Sequence, residues 1–192
     1  MLGVTPLTVA ARNILVFGDS LSAAYGLHQS EGWVSLLEQR LQKEKVLYKV
    51  ANASLSGETT AGGVSRINDA LKAHRPNIVI LELGANDGLR GQDLGAMRRN
   101  LEKMVEASRR ANAQVLLIGM RLPPNYGPAY TEKFQRTFVE VAREKKLPHV
   151  PFLLEGFAEN VAYFQGDRVH PTREAQALIL ETVWKELKPL LK

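Results

Sequence analysis

The chain has 192 residues, 45% of them hydrophobic and 23% charged, with a formal net charge of +5. That is the length of one domain, residues 1–192, with enough apolar residues to bury a sheet on both faces. The absence of cysteine excludes disulfides, thiolate nucleophiles and Cys-ligated metals, and no apolar run approaches the ~18 residues of a membrane span.

Residues 1–11 are apolar, lack a basic n-region and include the small residues of Thr8-Val9-Ala10. They read as a signal-peptide remnant or a disordered start. The first strand is expected over Asn13–Phe17, followed at once by Gly18-Asp19-Ser20-Leu21-Ser22. Trp33, Leu36, Leu37 and Leu41 then share one face of a helix. A second strand, Tyr48–Ala51, leads into Asn52-Ala53-Ser54-Leu55-Ser56-Gly57-Glu58, and Val64, Ile67 and Leu71 mark the next helix. Pro76 stops that helix before a third strand, Ile78–Leu83, which ends in the turn Gly84-Ala85-Asn86-Asp87-Gly88.

Leu94, Met97, Leu101, Met104 and Val105 give a third helical face, and a fourth strand spans Gln114–Gly119. The loop Met120–Gly127 and a helix carrying Phe134, Phe138, Val141 and Ala142 come next. Pro148 precedes the fifth strand, His149–Phe152. Gly166-Asp167-Arg168-Val169-His170-Pro171 stands before a last helix with Leu178, Val183, Leu187 and Leu190. Strands alternating with helices predict βαβ units, a parallel sheet and a three-layer α/β/α domain. There is no internal repeat, low-complexity segment or linker. The basic pairs Arg98-Arg99, Arg109-Arg110 and Lys145-Lys146 read as solvated helix faces. No interleaving of aromatic and basic residues points to nucleic acid.

Ligands of open parallel sheets bind beyond the carboxyl ends of the strands, so chemistry is sought in those loops. A serine at a strand-to-helix turn, as Ser20 is expected to be, more often caps the helix than attacks a substrate. As a nucleophile it needs a base. His28 lies in a polar loop, His74 in a basic helix end, and His149 enters a strand. His170 differs, because Asp167 precedes it by three residues and Pro171 holds it extended. A carboxylate curling back to Nδ1 would leave Nε2 for a serine proton. Acyl transfer also needs oxyanion donors, for which the Ser20 and Gly57 N–H groups and the Asn86 amide are candidates. Asp19 and Asp87 read as residues that fix loops.

Gly18-Asp19-Ser20-Leu21-Ser22, Gly57, Gly84-x-Asn86-Asp87 and Asp167-x-x-His170, in that order, resemble the four blocks of the SGNH (GDSL) hydrolases. NASLSGETTAGG, ELGANDGLRG and RLPPNYGPAY are similar to its bacterial thioesterase I/protease I/lysophospholipase L1 (arylesterase) group. The resemblance implies a flavodoxin-like five-stranded sheet of order 2-1-3-4-5. It implies Ser20 as nucleophile, His170 as base and acid, Asp167 as orienter, and Ser20, Gly57 and Asn86 as the oxyanion hole. It further implies a monomeric enzyme of ester or thioester substrates, lysophospholipids among them. No cofactor, metal, nucleic acid or stable membrane insertion is implied. A periplasmic or secreted location follows by the same resemblance, although the chain lacks a full export signal.

Leu89, Pro123 and Tyr126 are expected to bind substrate, and a medium-length acyl chain is the expected cargo. Phe157, Tyr163 and Phe164 read as packing beneath the last loop. The alternative is a flavodoxin-like cofactor-binding module, against which stands the lack of a phosphate-cradling glycine pattern. A receiver domain phosphorylated on Asp19 would want an acidic cluster and a lysine that are missing. An α/β-hydrolase would want Ser20 within Gly-x-Ser-x-Gly.

Overall fold

Five strands pair in the order β2-β1-β3-β4-β5 in the computed structural model, which describes residues 12–191. They are β1 (Arg12–Gly18), β2 (Tyr48–Asn52), β3 (Ile78–Glu82), β4 (Gln114–Ile118) and β5 (His149–Val150), and every pairing is parallel. The reading of residues 1–11 lies outside the described residues. β3 is buried along its whole length and β1 from Ile14 onward, as apolar runs covered on both faces require. β2 stands at the edge and is only partly buried.

The helices are α1 (Trp33–Lys43), α2 (Thr60–His74), α3 (Ala85–Leu89), α4 (Leu94–Arg110), α5 (Pro128–Glu144) and α6 (Arg173–Leu187). The chain leaves β1 toward β2 and then reverses, stepping through β3, β4 and β5 on the other side. Right-handed crossovers therefore put α1 on one face and α2, α4 and α5 on the other. The packing agrees: α1 lies against α6, and α4 lies against both α2 and α5. This is the three-layer α/β/α architecture and strand order expected. Its reversal point is between β1 and β3, where ligands of such sheets bind.

Local signals position the elements. The Thr59 hydroxyl caps α2, and Arg75 closes it in the left-handed conformation just before Pro76. Asp93 caps α4 by accepting the Gly95 N–H.

Some expectations need correction. The fifth strand stops at Val150 because Pro151 has no N–H for the ladder. Leu178 faces out, being 37% exposed, and Leu190 falls in a 3₁₀ turn beyond α6. The buried face of α6 is Ala175, Ile179, Leu180, Val183, Trp184 and Leu187. Arg98 does not stand free in solvent, since it bonds Glu102 on its own helix and Glu140 and Glu144 on α5.

Candidate active site

Four loops converge at the carboxyl ends of the strands. After β1 the chain runs through successive turns over Ser20–Gly26, and no α-helix starts until α1. The expected strand-to-helix turn at Ser20 is thus a run of turns. Asp19 caps it, with Oδ1 accepting the Leu21 N–H at 3.0 Å. The Ser20 hydroxyl is left for another use.

That hydroxyl lies 2.9 Å from His170 Nε2. His170 Nδ1 lies 2.7 Å from Asp167 Oδ2, while Asp167 Oδ1 accepts the backbone N–H groups of His170 (3.0 Å) and Val169 (2.9 Å). The carboxylate thus curls back on the residue three positions ahead, helped by the left-handed backbone of Arg168 (φ 57°). Those two N–H bonds and the imidazole contact hold the Asp167 carboxyl down to about 2, with the His170 N–H the largest cause. An ionised carboxylate only accepts, so Nδ1 carries the ring proton and Nε2 accepts from Ser20.

The loop carrying His170 is tied to the turn carrying Ser20. Gln165 Nε2 donates to the Tyr25 carbonyl (2.8 Å) and the Pro171 carbonyl (3.0 Å). The Tyr25 ring lies 4.3 Å from the imidazole, tilted by 35°. The Gln165 N–H donates to the His170 carbonyl at 2.8 Å.

On the other side stand the candidate oxyanion donors. The Ser20 and Gly57 N–H groups have no protein acceptor among the described residues. Gly57 sits at φ +78°, and a Cβ there would meet only the Arg90 guanidinium, at 3.6 Å. Backbone conformation, rather than close approach, therefore calls for glycine here. Arg90 donates to the Gly57 carbonyl at 3.0 Å.

Asn86 lies in the first turn of the short helix α3, where a plain turn was expected. Its Nδ2 reaches Asp19 Oδ2 (3.1 Å) and the Glu58 carbonyl (3.0 Å). Both amide hydrogens are thereby engaged. Asp87 accepts the Thr60 N–H (2.9 Å) and hydroxyl, pinning the start of α2 to α3. Both aspartates fix loops, as the sequence suggests. Burial lifts the Asp19 carboxyl to about 6, against the lowering effect of the Leu21 N–H, His170 and Asn86.

A cavity of about 400 Å³, the size of a small-molecule site, opens beside this group. Its walls include Ala85 and Val169, the chain neighbours of Asn86 and His170, with Leu89, Pro123, Leu122 and Phe164. Leu89 and Pro123 line it as expected. Tyr126 does not, and its hydroxyl instead donates to the Leu89 carbonyl at 2.9 Å, bracing the wall from behind. Phe157 and Tyr163 pack edge to face, whereas Phe164 reaches the cavity. His28 caps a 3₁₀ turn, His74 ends α2, and burial lowers the His149 imidazole. None of these three joins the group.

Sequence reading missed Gln165 and Glu82. Glu82 ends β3 and is fully buried beneath the Ser20 turn. Its only signal is one acid closing an apolar strand. Gln165 has none, because its partner Tyr25 is 140 positions away.

Comparison with known proteins shows the family. Residues 16–178 match the GDSL-like Lipase/Acylhydrolase family. The chain is 49% identical to Esterase TesA of Pseudomonas aeruginosa over 95% of its length and 90% of the relative's. It is 39% identical to thioesterase 1/protease 1/lysophospholipase L1 of Escherichia coli, over 95% of the chain and 86% of that protein. The crystal structure of the psychrotrophic esterase EstA from Pseudoalteromonas sp., inhibited by monoethylphosphonate, superimposes with a TM-score of 0.88 at 40% identity, covering 94% of this chain and 98% of that one. The cofactor-binding alternative finds no support among these relatives. The chain belongs to the GDSL-like lipase/acylhydrolase family of carboxylic ester hydrolases.

Proposed function

We propose that the protein hydrolyses carboxylic esters and acyl thioesters through an acyl-enzyme on Ser20. The observation that carries this reading is the unbroken hydrogen-bond chain from Ser20 through His170 to Asp167, beside two unspent backbone N–H groups. Ser20 Oγ bonds to the acyl carbon as His170 Nε2 takes its proton. The carbonyl oxygen becomes an oxyanion held by the Ser20 and Gly57 N–H groups. Asn86 contributes by sharing an amide hydrogen with a present partner, or by releasing the Glu58 carbonyl. The tetrahedral intermediate expels the alcohol or thiol, which leaves with the proton from His170. Water, deprotonated by His170, then attacks the acyl carbon, and the second tetrahedral intermediate expels Ser20 Oγ, which takes that proton from His170 as the acid leaves.

The acyl chain lies in the cavity walled by Leu89, Pro123 and Phe164, whose apolar lining suits a medium-length chain. The Escherichia coli relative, named for thioesterase and lysophospholipase activities, supports extending the substrates to thioesters and lysophospholipids. The enzyme acts as a monomer on small acyl substrates, in the periplasm or outside the cell. A panel of p-nitrophenyl esters and acyl thioesters of graded length, run beside Ser20→Ala, tests the reading. Activity that peaks at one chain length and vanishes in the variant is expected, and a fully active variant would refute it.

A further inference from the structure

We propose that Glu82 is a positioning residue for Ser20, acting as a neutral carboxylic acid that pins the Gly18–Ser22 turn to the end of β3. The inference rests on Ser20 being the nucleophile and adds a residue that touches neither substrate nor the reacting atoms.

The geometry begins with register. Gly18 pairs with Glu82 across β1 and β3, so the acid emerges directly beneath the turn. Glu82 Oε2 accepts the Asp19 N–H at 3.2 Å and the Ser22 hydroxyl at 2.7 Å. These two residues flank Ser20 by one and two positions, so a single oxygen holds the turn on both sides of the nucleophile. The far end of the turn is tied again, as Asn52 Nδ2 donates to the Ser22 carbonyl at 2.8 Å. Gly18 is needed for the approach, since a Cβ there would stand 2.5 Å from Glu82 Oε2.

The neutral state follows from the surroundings. Glu82 is fully buried, and no Lys, Arg or His pairs with it among the described residues. Its charged neighbour is Asp19, itself an acid, and Oε1 is buried without a hydrogen-bond partner. An ionised group would leave an uncompensated charge in that position, at a far greater cost than an unpaired O–H. Burial first, then Asp19, pushes the Glu82 carboxyl well above the ordinary carboxylate range, outweighing the two hydrogen bonds. As a neutral acid, its carbonyl oxygen serves both donors of the turn.

Glu82→Gln keeps a carbonyl oxygen for Asp19 and Ser22 and replaces O–H by N–H. It is expected to retain kcat within about threefold, the scale of a small change in hydrogen bonding. Glu82→Ala frees the turn and is expected to lower kcat by roughly 10–100-fold with KM little changed, the scale of a misplaced catalytic group. Gly18→Ala, which displaces the Glu82 carboxyl, should do the same. Infrared spectra of the wild type at about pH 8, where ordinary carboxyls are ionised, should show a protonated-carboxyl C=O band that disappears in Glu82→Gln.

Wild-type kcat in a folded Glu82→Ala would overturn the positioning role. Absence of the band, or a Glu82→Gln as slow as Glu82→Ala, would overturn the neutral state. Should Glu82→Ala fail to fold, the infrared band and the isosteric variant still decide the neutral state, and Gly18→Ala the positioning role. Ser20→Ala separates the readings: if it remains active, the nucleophile assignment fails, whereas an inactive Ser20→Ala beside a fully active Glu82→Ala refutes this inference alone.

Discussion

Asp19 Oδ2 accepts from Asn86 Nδ2 at 3.1 Å, so the residue before Ser20 holds the Asn86 amide at the start of α3. The turn of the proposed nucleophile and the proposed third oxyanion donor are therefore one connected unit. Asn86→Ala removes both the donor and this tie. It should lower kcat by on the order of 10²–10³ with a smaller change in KM. Steady-state kinetics on one p-nitrophenyl ester check this, and an unchanged kcat would remove Asn86 from the mechanism.

The Asp19 carboxyl is raised to about 6 by burial, and this sets a sign for stability against pH. Between its unfolded value near 3.9 and about 6, the folded protein holds the Asp19 proton more tightly than the unfolded chain does. Asp19 therefore lowers stability as pH rises through that window and adds no further change above it. Melting temperatures measured from pH 4 to pH 7 should fall less steeply in Asp19→Asn than in the wild type. Parallel curves would contradict the assignment.

Asp167 behaves in the opposite sense. Its carboxyl is lowered to about 2, so its contribution to the folded state is present above its unfolded value and is lost as pH falls toward 2. Any loss of activity between pH 7 and pH 5 is therefore expected to come from groups other than Asp167. Asp167→Asn cannot hold the Nδ1–H tautomer in the same way and should lower kcat by several decades, on the order of 10⁴ where such an orienter is replaced. A pH–rate profile of the variant with near-wild-type kcat would overturn the orienting role.

Asp87 is buried, and both its oxygens serve Thr60 at the start of α2. Asp87→Ala leaves that N–H without its acceptor and should destabilise the fold by about 1–3 kcal/mol. A thermal melt should show a drop of several degrees. No drop would mean that the link between the Gly57 loop and α3 is not held by this pair.

The cavity proposed for the acyl chain gives a steric prediction. Leu89→Trp fills space beside Ala85 and Pro123. If it excludes three methylenes, at about 0.8 kcal/mol each, hydrolysis of long esters falls by roughly fiftyfold while short esters are spared. Rates that fall equally from acetyl to decanoyl would place the acyl chain elsewhere.

Local constraints were readable in the sequence. Apolar runs without alternation marked β3 and β4, and the Asp167–His170 spacing followed by Pro171 announced a carboxylate that reaches its own loop's imidazole. Ser20 was harder, because a cap and a nucleophile use the same residue at the same kind of turn. Asp19 resolves it in space by taking the capping bond itself. What escaped reading is long-range. Glu82 is 63 positions from Asp19, and Gln165 is 140 from Tyr25, so only the β1–β3 register and the closing of the last loop bring them together. Tyr126 is expected from its loop to bind substrate, yet it does not line the cavity. Its hydroxyl turns instead to the Leu89 carbonyl, a backbone acceptor that residue type alone does not reveal.

The central claim is that Ser20 carries the acyl group, and its most direct test is intact-mass spectrometry after exposure to a fluorophosphonate. The wild type should gain one adduct, mapped to the peptide containing Ser20, with activity lost in parallel. Ser20→Ala should gain none. An adduct that persists in Ser20→Ala, or inactivation with the label on another residue, would contradict it.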